Sequence, residues 1–323
     1  MKILITATSL GADSPGPALE RLRGFTAQSG GELAFNPLGK PLSEDELIPL
    51  LRDCDGYIAG LDFVTKKVIG SCEKLRVISR YGSGVDRVDL DAAGERNITV
   101  CNTPGANAQA VADLAIALAL SAARKLPLLD RKTREGHWVR STGIELYGKT
   151  MGILGLGAVG RGVAKRAQGF SMKVLAYDPY IDARYAEEHH ITVSDFDTLI
   201  ENAEVISLHL PLNDKTRRII SGEVMSRMKK GAILINTARG GLIDEGAAFE
   251  FLKQGHLGGL GIDAYEEEPP KESPLFALDN VVLTPHTAAH TAEATANMAA
   301  MAVQNLIDVL SGKPCPYTVR SEH

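Results

Sequence analysis

Three residues in the last third of the chain, Arg239, Glu268 and His286, are of the types needed to move a proton to or from an oxygen held beside a carboxylate. Arg239 stands in NTARG, just past GAILINT, an apolar run that reads as a strand. A planar guanidinium there can bind a carboxylate through two parallel hydrogen bonds while polarising a neighbouring keto oxygen. His286 follows another apolar run in LTPHT, and Glu268 precedes Pro269 in DAYEEEPP. An imidazole exchanges protons near neutral pH, and a carboxylate beside it orients the ring and favours its protonated form. Taken singly, each residue also has a plainer reading, as a strand-end arginine or a structural histidine. His290, four residues after His286, can share a helix face with it, but that spacing alone makes no metal site and no metal is expected.

A second group of residues has the spacing to hold a dinucleotide. Gly155-Leu156-Gly157-Ala158-Val159-Gly160 lies between the apolar strand MGIL and a helix expected to begin near Arg161. Gly155 permits a tight turn, Gly157 lets a pyrophosphate approach the backbone, and Gly160 lets helix and strand pack closely. The helix N-terminus adds unpaired N–H groups and a favourable dipole. Asp178 follows Gly160 by 18 residues at the end of KVLAY, near the offset of a carboxylate that binds a ribose 2′-hydroxyl and repels a 2′-phosphate. NAD is therefore expected over NADP; Arg184 downstream is a cation that would act the other way.

Elements that could position these residues alternate along the chain. A strand over Lys2–Ala7, helices over 18–28 and 44–52, and strand-like runs at 56–61, 75–79 and 98–101 precede a change of register at Thr103-Pro104-Gly105. The long apolar helix over 110–123 follows. After Lys149 a βαβ series begins, whose strands are continuous apolar runs, as expected where both sheet faces are buried. A helix rich in Ala and Met over 291–310 ends at Gly312-Lys313-Pro314 and is expected to return to the N-terminal domain. The fold class is α/β with two doubly wound Rossmann-like domains: a split one over 1–102 and 288–323, and an inserted nucleotide-binding one over 103–287.

The chain has 323 residues, 44% hydrophobic and 23% charged, with a formal net charge of −5. That length favours two cores over one. The acidic balance offers no footprint for a phosphate backbone, so nucleic acid is not an expected partner. No apolar run reaches the length that crosses a bilayer, so no membrane is expected either. The opening MKILITATSL reads as a strand because no small-residue cleavage site follows it. Cys54, Cys72, Cys101 and Cys315 are widely spaced, which suits reduced thiols of a cytoplasmic protein.

The ordered motifs GHW (136–138), ELYGKTMGILGLGAVG, LHLPLNDKTRRII, GAILINTARGGLIDE, GIDAYEEEP and LTPHTAAHT resemble the D-2-hydroxyacid dehydrogenase family, in particular its short phosphoglycerate-dehydrogenase-like members. The resemblance covers nearly the whole chain. It implies that a split, flavodoxin-like substrate domain packs against the inserted NAD domain, with the active site in the cleft between them. It also implies catalytic roles for Arg239, Glu268 and His286. The NAD contacts it implies are Gly155, Gly157, Ala158, Val159, Gly160, Asp178, His209, Pro211, Thr216, Thr237, Ala238, Arg239, Asp263 and His286, with Asp263 accepting from the nicotinamide amide.

The segment Arg80-Tyr81-Gly82-Ser83-Gly84 is similar to the family's substrate loop, so that Arg80, Tyr81, Ser83 and Gly84, together with Arg239 and His286, are expected to meet the substrate. The amides at Ser83 and Gly84 can hold a carboxylate. Arg80 resembles the loop arginine of phosphoglycerate dehydrogenases, where it would meet a phosphate, sulfonate or second carboxylate; a surface ion pair is the other reading. Where many of those enzymes carry Arg-Ser, this chain has Ala59-Gly60. Asp113 stands where the family commonly has Glu. Trp138 lies in the segment the family uses for dimer contacts, with core packing as its plainer reading, and a homodimer is expected.

Three readings of the whole chain follow. The first is an NAD-dependent enzyme interconverting a small anionic 2-hydroxy acid and its 2-keto acid, similar to D-3-phosphoglycerate dehydrogenase. The second is a glyoxylate or hydroxypyruvate reductase, and the third, of another class, an NAD-sensing corepressor-like binding protein.

Overall fold

The computed structural model describes residues 1–13 and 16–321. The chain begins with alternating strands and helices: β1 (Lys2–Ile5), α1 (Pro17–Gln28), β2 (Glu32–Phe35), α2 (Glu44–Leu51), β3 (Gly56–Ala59), α3 (Lys66–Ser71), β4 (Val77–Arg80), α4 (Leu90–Glu95) and β5 (Thr99–Cys101). The short helices start where a side chain can satisfy an orphan amide. Thr65 accepts from Val68, Asp89 accepts from Ala92, and Ser43 forms a capping box with Glu46.

The second series comprises α5 (Ala108–Arg124), α6 (Leu126–Arg134), β6 (Thr150–Leu154), α7 (Ala158–Gly169), β7 (Lys173–Tyr177), α8 (Ala183–Glu188), β8 (Thr192–Val193), α9 (Phe196–Asn202), β9 (Val205–Leu208), α10 (Gly222–Arg227), β10 (Ala232–Asn236), α11 (Glu245–Lys253), β11 (Leu257–Ile262) and β12 (Val281–Leu283). The chain then closes with α12 (Ala292–Leu310), capped by Thr291, and β13 (Thr318–Val319). The nucleotide-turn helix begins at Ala158, three residues before the expected Arg161, because Gly157 already serves as its N-cap.

These elements divide into two compact units, Met1–Asn107 with His290–His323, and Ala108–Ala289. The expected crossings at 102/103 and 287/288 therefore shift to 107/108 and 289/290. For the first, the reason is visible in the hydrogen bonds: Asn102 N–H donates to Tyr317, Asn305 Nδ2 to the Asn102 carbonyl at 2.8 Å, and Thr103 N–H to Gly82, all within the first unit.

In the first unit the strand order is β13-β5-β4-β3-β1-β2, parallel except for β13, which runs antiparallel to β5. The return of α12 to this unit, expected from the sequence, is seen in Ser79 Oγ donating to the Ala302 carbonyl at 2.8 Å and in Arg76 reaching Leu310 at 2.7 Å. In the second unit all strands are parallel in the order β12-β11-β10-β9-β6-β7-β8. The order reverses between β6 and β9, which makes their carboxyl ends a switch point where open α/β sheets bind ligands. The central strands β9 and β10 are buried throughout, and α5 covers the same sheet, with Leu118 only 2% exposed. Burying one such leucine contributes about 2 kcal/mol.

Two expectations are corrected. Trp138 is 85% exposed, so it is not a core residue; it lies in a stretch, 137–146, without regular secondary structure. His286 and His290 do not share a helix face, because α12 starts only at Ala292 and the segment before it is loop. Among the described residues no cluster of three or more His, Cys, Asp or Glu could hold a metal ion, and no helix is long and apolar enough to cross a membrane.

Candidate active site

At the carboxyl edge of the second unit, β6 runs into the glycine turn. Gly155 adopts φ +101°, a left-handed value that any side chain would make costly. A Cβ on Gly160 would fall 2.0 Å from the Gly155 carbonyl oxygen, so the helix approaches the strand as the motif requires. Gly157 and Ala158 are exposed at the N-terminus of α7, where a Cβ on Gly157 would meet nothing within 4 Å. Val159 follows in the first turn, half-buried against the core.

Asp178, one residue past β7, accepts the Leu156 amide on Oδ2 and the Tyr180 amide on Oδ1, both at 2.8 Å. It therefore stands directly beside the glycine turn. Arg161 braces the same corner: it bonds the Leu156 carbonyl at 3.2 Å, pairs with Asp182 at 3.1 Å and stacks over Tyr185. Arg184 is exposed and pairs with Glu188.

Across the switch point, His209 directly follows β9, and its Nε2 lies 2.9 Å from Ser207 Oγ. The surrounding protein desolvates the imidazole and pushes its pKa from 6.5 down to about 3. The unfolded chain thus takes up a proton as pH falls below 6.5 while the folded chain does not. The stability this group contributes is complete above pH 6.5 and is lost progressively toward pH 3, by about 1 kcal/mol per unit. Urea midpoints of the wild type and of His209→Gln should keep a constant difference above pH 6.5. Below it the wild type should lose stability faster, and parallel curves would contradict the assignment.

Pro211 is exposed at the mouth of the following loop, which Thr216 closes by donating to the Pro211 carbonyl at 2.6 Å. After β10, Asn236 folds Thr237–Arg239 into a turn: its Oδ1 accepts from Ala238 at 3.0 Å and its Nδ2 donates to the Arg239 carbonyl at 2.8 Å. Asn236 is fully buried, and the spacing of two residues to Ala238 is that of an Asx turn. Arg239 itself is half-buried, with Nη1 on the Ala238 carbonyl at 2.8 Å.

His286 and Glu268, 18 residues apart, are in direct contact. Nδ1 of His286 lies 2.8 Å from Oε1 and 2.9 Å from Oε2 of Glu268, and Oε1 also accepts the Tyr265 amide at 3.1 Å. An ionised carboxylate can only accept, so Nδ1 carries the hydrogen and Nε2 faces away from Glu268. Nε2 has no hydrogen-bond partner among the described residues. His286 also holds φ +50°, a left-handed backbone that a β-carbon makes unfavourable and that surrounding contacts must enforce.

Asp263 supplies that enforcement. Its Oδ1 accepts from Thr284 Oγ1 at 2.6 Å and the Thr287 amide at 2.8 Å, and its Oδ2 accepts the Ala288 amide at 2.9 Å. Tyr265 adds a bond from its hydroxyl to the Thr284 carbonyl at 2.8 Å. The loops after β11 and β12 are thereby stitched together on either side of His286.

Sequence reasoning missed Asn236, Gly240 and Tyr265. The Asx spacing could have marked Asn236, but Gly240 is explained only by the fold. A Cβ there would fall 1.8 Å from the Tyr265 carbonyl carbon, so the Arg239 turn lies directly against the chain leading to Glu268. Gly240→Ala should force these backbones apart, lowering stability by about 3 kcal/mol and kcat by about 100-fold. A melting curve and a steady-state assay check this, and unchanged kcat in a destabilised variant would reduce Gly240 to a packing role.

In the first unit, Arg80 is 5% exposed, so it is not a surface side chain. Its Nη1 donates to the carbonyls of Ala59 and Tyr81. Gly60 packs closely on the end of β1, its amide donating to Thr6 Oγ1 at 3.0 Å. Tyr81 is tied within the first unit: its amide bonds Ala59, and its hydroxyl bonds the Thr295 carbonyl of α12 at 2.8 Å. Ser83 is exposed and Gly84 half-buried, and their amides donate to no protein acceptor among the described residues. Thr103 and Asn102 hold this loop, accepting from Gly82 at 2.9 Å and donating to Ser83 at 2.7 Å. Asp113 has a structural tie within the second unit, pairing with Arg166 at 2.6 Å.

Whether the second unit fits a dinucleotide can be tested on the residues themselves. Thr237 Oγ1 is buried and has no hydrogen-bond partner among the described residues, which is costly unless a ligand supplies one. The open cradle at Gly157, the Asp178 carboxylate beside it and this orphan hydroxyl lie along one sheet edge and fit NAD.

Comparison with known proteins agrees. The sequence model described as D-isomer specific 2-hydroxyacid dehydrogenase, NAD binding domain, matches residues 116–288. A D-3-phosphoglycerate dehydrogenase of Methanocaldococcus jannaschii is 45% identical over 276 residues, 84% of this chain and 53% of the relative. The chain thus spans about half the length of that relative. A glyoxylate reductase of Korarchaeum cryptofilum is 38% identical over 290 residues, 87% of each chain. Among solved structures, the NAD⁺-bound 3-phosphoglycerate dehydrogenase of Entamoeba histolytica superposes with a TM-score of 0.83 at 28% identity, covering 99% of each chain. By its matched nucleotide-binding unit and these relatives, the chain belongs to the D-isomer specific 2-hydroxyacid dehydrogenase family.

Proposed function

We propose that this chain interconverts a small D-2-hydroxy acid and its 2-keto acid with NAD. The observation that carries the reading is the His286–Glu268 pair, whose geometry leaves Nε2 of His286 turned away from the carboxylate. NAD, when bound, supplies the hydride acceptor for oxidation or the donor for reduction. In reduction, protonated His286 gives its Nε2 proton to the keto oxygen, and Glu268 stabilises the charged ring before it does so. In oxidation, neutral His286 takes the hydroxyl proton at the same atom. Arg239 holds the substrate carboxylate and polarises the oxygen that accepts the proton. Thr237, Ala238 and Asp263 face the cofactor, and the Ser83 and Gly84 amides are the substrate contacts proposed for the first unit.

For the substrate, the sequence-level reading is one resembling 3-phosphoglycerate. A second reading, glyoxylate or hydroxypyruvate, is favoured by the Ala59-Gly60 pair, which brings no cation or hydroxyl of its own. NADH oxidation against glyoxylate, pyruvate, hydroxypyruvate, 3-phosphohydroxypyruvate, sulfopyruvate and oxaloacetate tests both. Selective turnover of an acid with a second anion supports the first reading, and activity confined to glyoxylate and hydroxypyruvate supports the second. Silence across the panel refutes the enzymatic proposal and leaves the NAD-sensing alternative.

The protein acts as a homodimer in this proposal. Support comes from Leu126, Trp138, Val139 and Tyr147, all exposed within one stretch of the second unit, since contiguous exposed apolar surface marks interaction sites. Sedimentation equilibrium should return twice the mass of one chain, and a monomer would contradict it. A cytoplasmic location is the reading that suits NAD and reduced thiols.

A further inference from the structure

Cys101 ends β5 and is fully buried, while Cys315 lies in the turn before β13 and keeps part of its surface open. In the antiparallel pairing of these strands, Thr318 stands opposite Cys101 and Val319 opposite Val100. Thr318 Oγ1 donates to the Cys315 carbonyl at 3.0 Å and so folds the turn back on itself. Cys315, three residues before Thr318, thereby comes close enough to Cys101 to influence its thiol. The other two cysteines are engaged differently, Cys54 with the Leu50 carbonyl and Cys72 with the Val68 carbonyl.

We propose that Cys101 and Cys315 form a reversible disulfide, with half-exposed Cys315 meeting a two-electron oxidant such as hydrogen peroxide and buried Cys101 closing the bond. In the first step the Cys315 sulfur attacks one peroxide oxygen, giving a sulfenic acid and one water. In the second the Cys101 sulfur displaces the hydroxyl from Cys315, and its own proton leaves with that hydroxyl as a second water. Two thiol hydrogens and two electrons leave the protein, and the peroxide is reduced to two waters.

Burial pushes the Cys101 thiol up to about 12, which keeps it protonated and protects it from direct oxidation until Cys315 has become an electrophile. Closure would fasten the C-terminal segment to the strand that continues into Asn102 and Thr103, the residues holding the Gly82–Ser83 loop. It would also fix Pro316 and Tyr317, which wall a surface groove of about 600 Å³ together with Pro104, Met301 and Asp308.

The test uses the full chain, fully reduced, then exposed to stoichiometric hydrogen peroxide under native conditions. Titratable thiols should fall from the four cysteines of the sequence to two. Non-reducing peptide mapping should find the Cys101 and Cys315 peptides joined, lighter by two hydrogens, and dithiothreitol should reverse the change. The thermal midpoint should rise by about 5 °C on oxidation and fall back on reduction. Cys315→Ser should show neither linkage nor midpoint shift. With Cys101→Ala, Cys315 should run on to sulfinic acid. Sulfinic acid at Cys315 of the wild type with Cys101 still free, or a bond joining Cys315 of two chains, would overturn the proposal.

Discussion

Replacing His286 with alanine should lower kcat by about 10³- to 10⁴-fold, the range expected when a positioned acid–base group is removed. NADH affinity should change little, because the glycine turn, Asp178 and Thr237 lie on other strand ends and do not depend on the imidazole. The loss has to appear in kcat, since the His286 proton moves in the transition state. Glu268→Gln should cost less and should weigh more on reduction, where the charged ring must form; the 2.8 and 2.9 Å contacts make Glu268 the group that stabilises it. Steady-state kinetics in both directions, with fluorescence titration of NADH, checks each part. A wild-type kcat in His286→Ala would remove this residue from the chemistry.

Arg239→Gln should reduce kcat/KM for the keto acid by about 10³-fold, or about 4 kcal/mol, as two charge-assisted hydrogen bonds are lost. Both KM and kcat should move, because the guanidinium binds the carboxylate in the ground state and polarises the keto oxygen as charge develops. Arg239→Lys should recover only part of the loss, since an ammonium cannot reproduce the planar pair of donors. Kinetic constants of Arg239→Gln within threefold of wild type would mean that the substrate carboxylate is held elsewhere.

Much of this arrangement was legible in the sequence because it rests on local rules. The glycine turn, the acid 18 residues beyond it and the continuous apolar strands of the second unit each follow from spacing or burial on both faces. The edge strands of the first unit did not show. β2 is half-exposed and only four residues long, and β13 has two residues, so neither carries a hydrophobic pattern. Helices α3 and α4, six residues each, depend on the Thr65 and Asp89 caps more than on periodicity.

Within the site, residue types pointed to His286, Glu268 and Arg239, but what holds them in place comes from contacts between distant segments. Asp263 gathers three donors from residues 284–288, and Gly240 is required by the chain passing at Tyr265. Arg80 shows the converse: its charge allowed a surface position, whereas the side chain is buried, with Nη1 on backbone carbonyls. The meeting of Cys101 with Cys315 depends on the antiparallel return of β13, which no local pattern announces.

The most direct test of the central claim is to supply NADH deuterated at C4 with a keto acid that the substrate panel shows to be turned over, and to examine the product by NMR. The account predicts one deuterium at C2 of a D-2-hydroxy acid, formed in step with NADH loss and abolished in His286→Ala. NADH that binds but is not consumed, or product without label at C2, would contradict it.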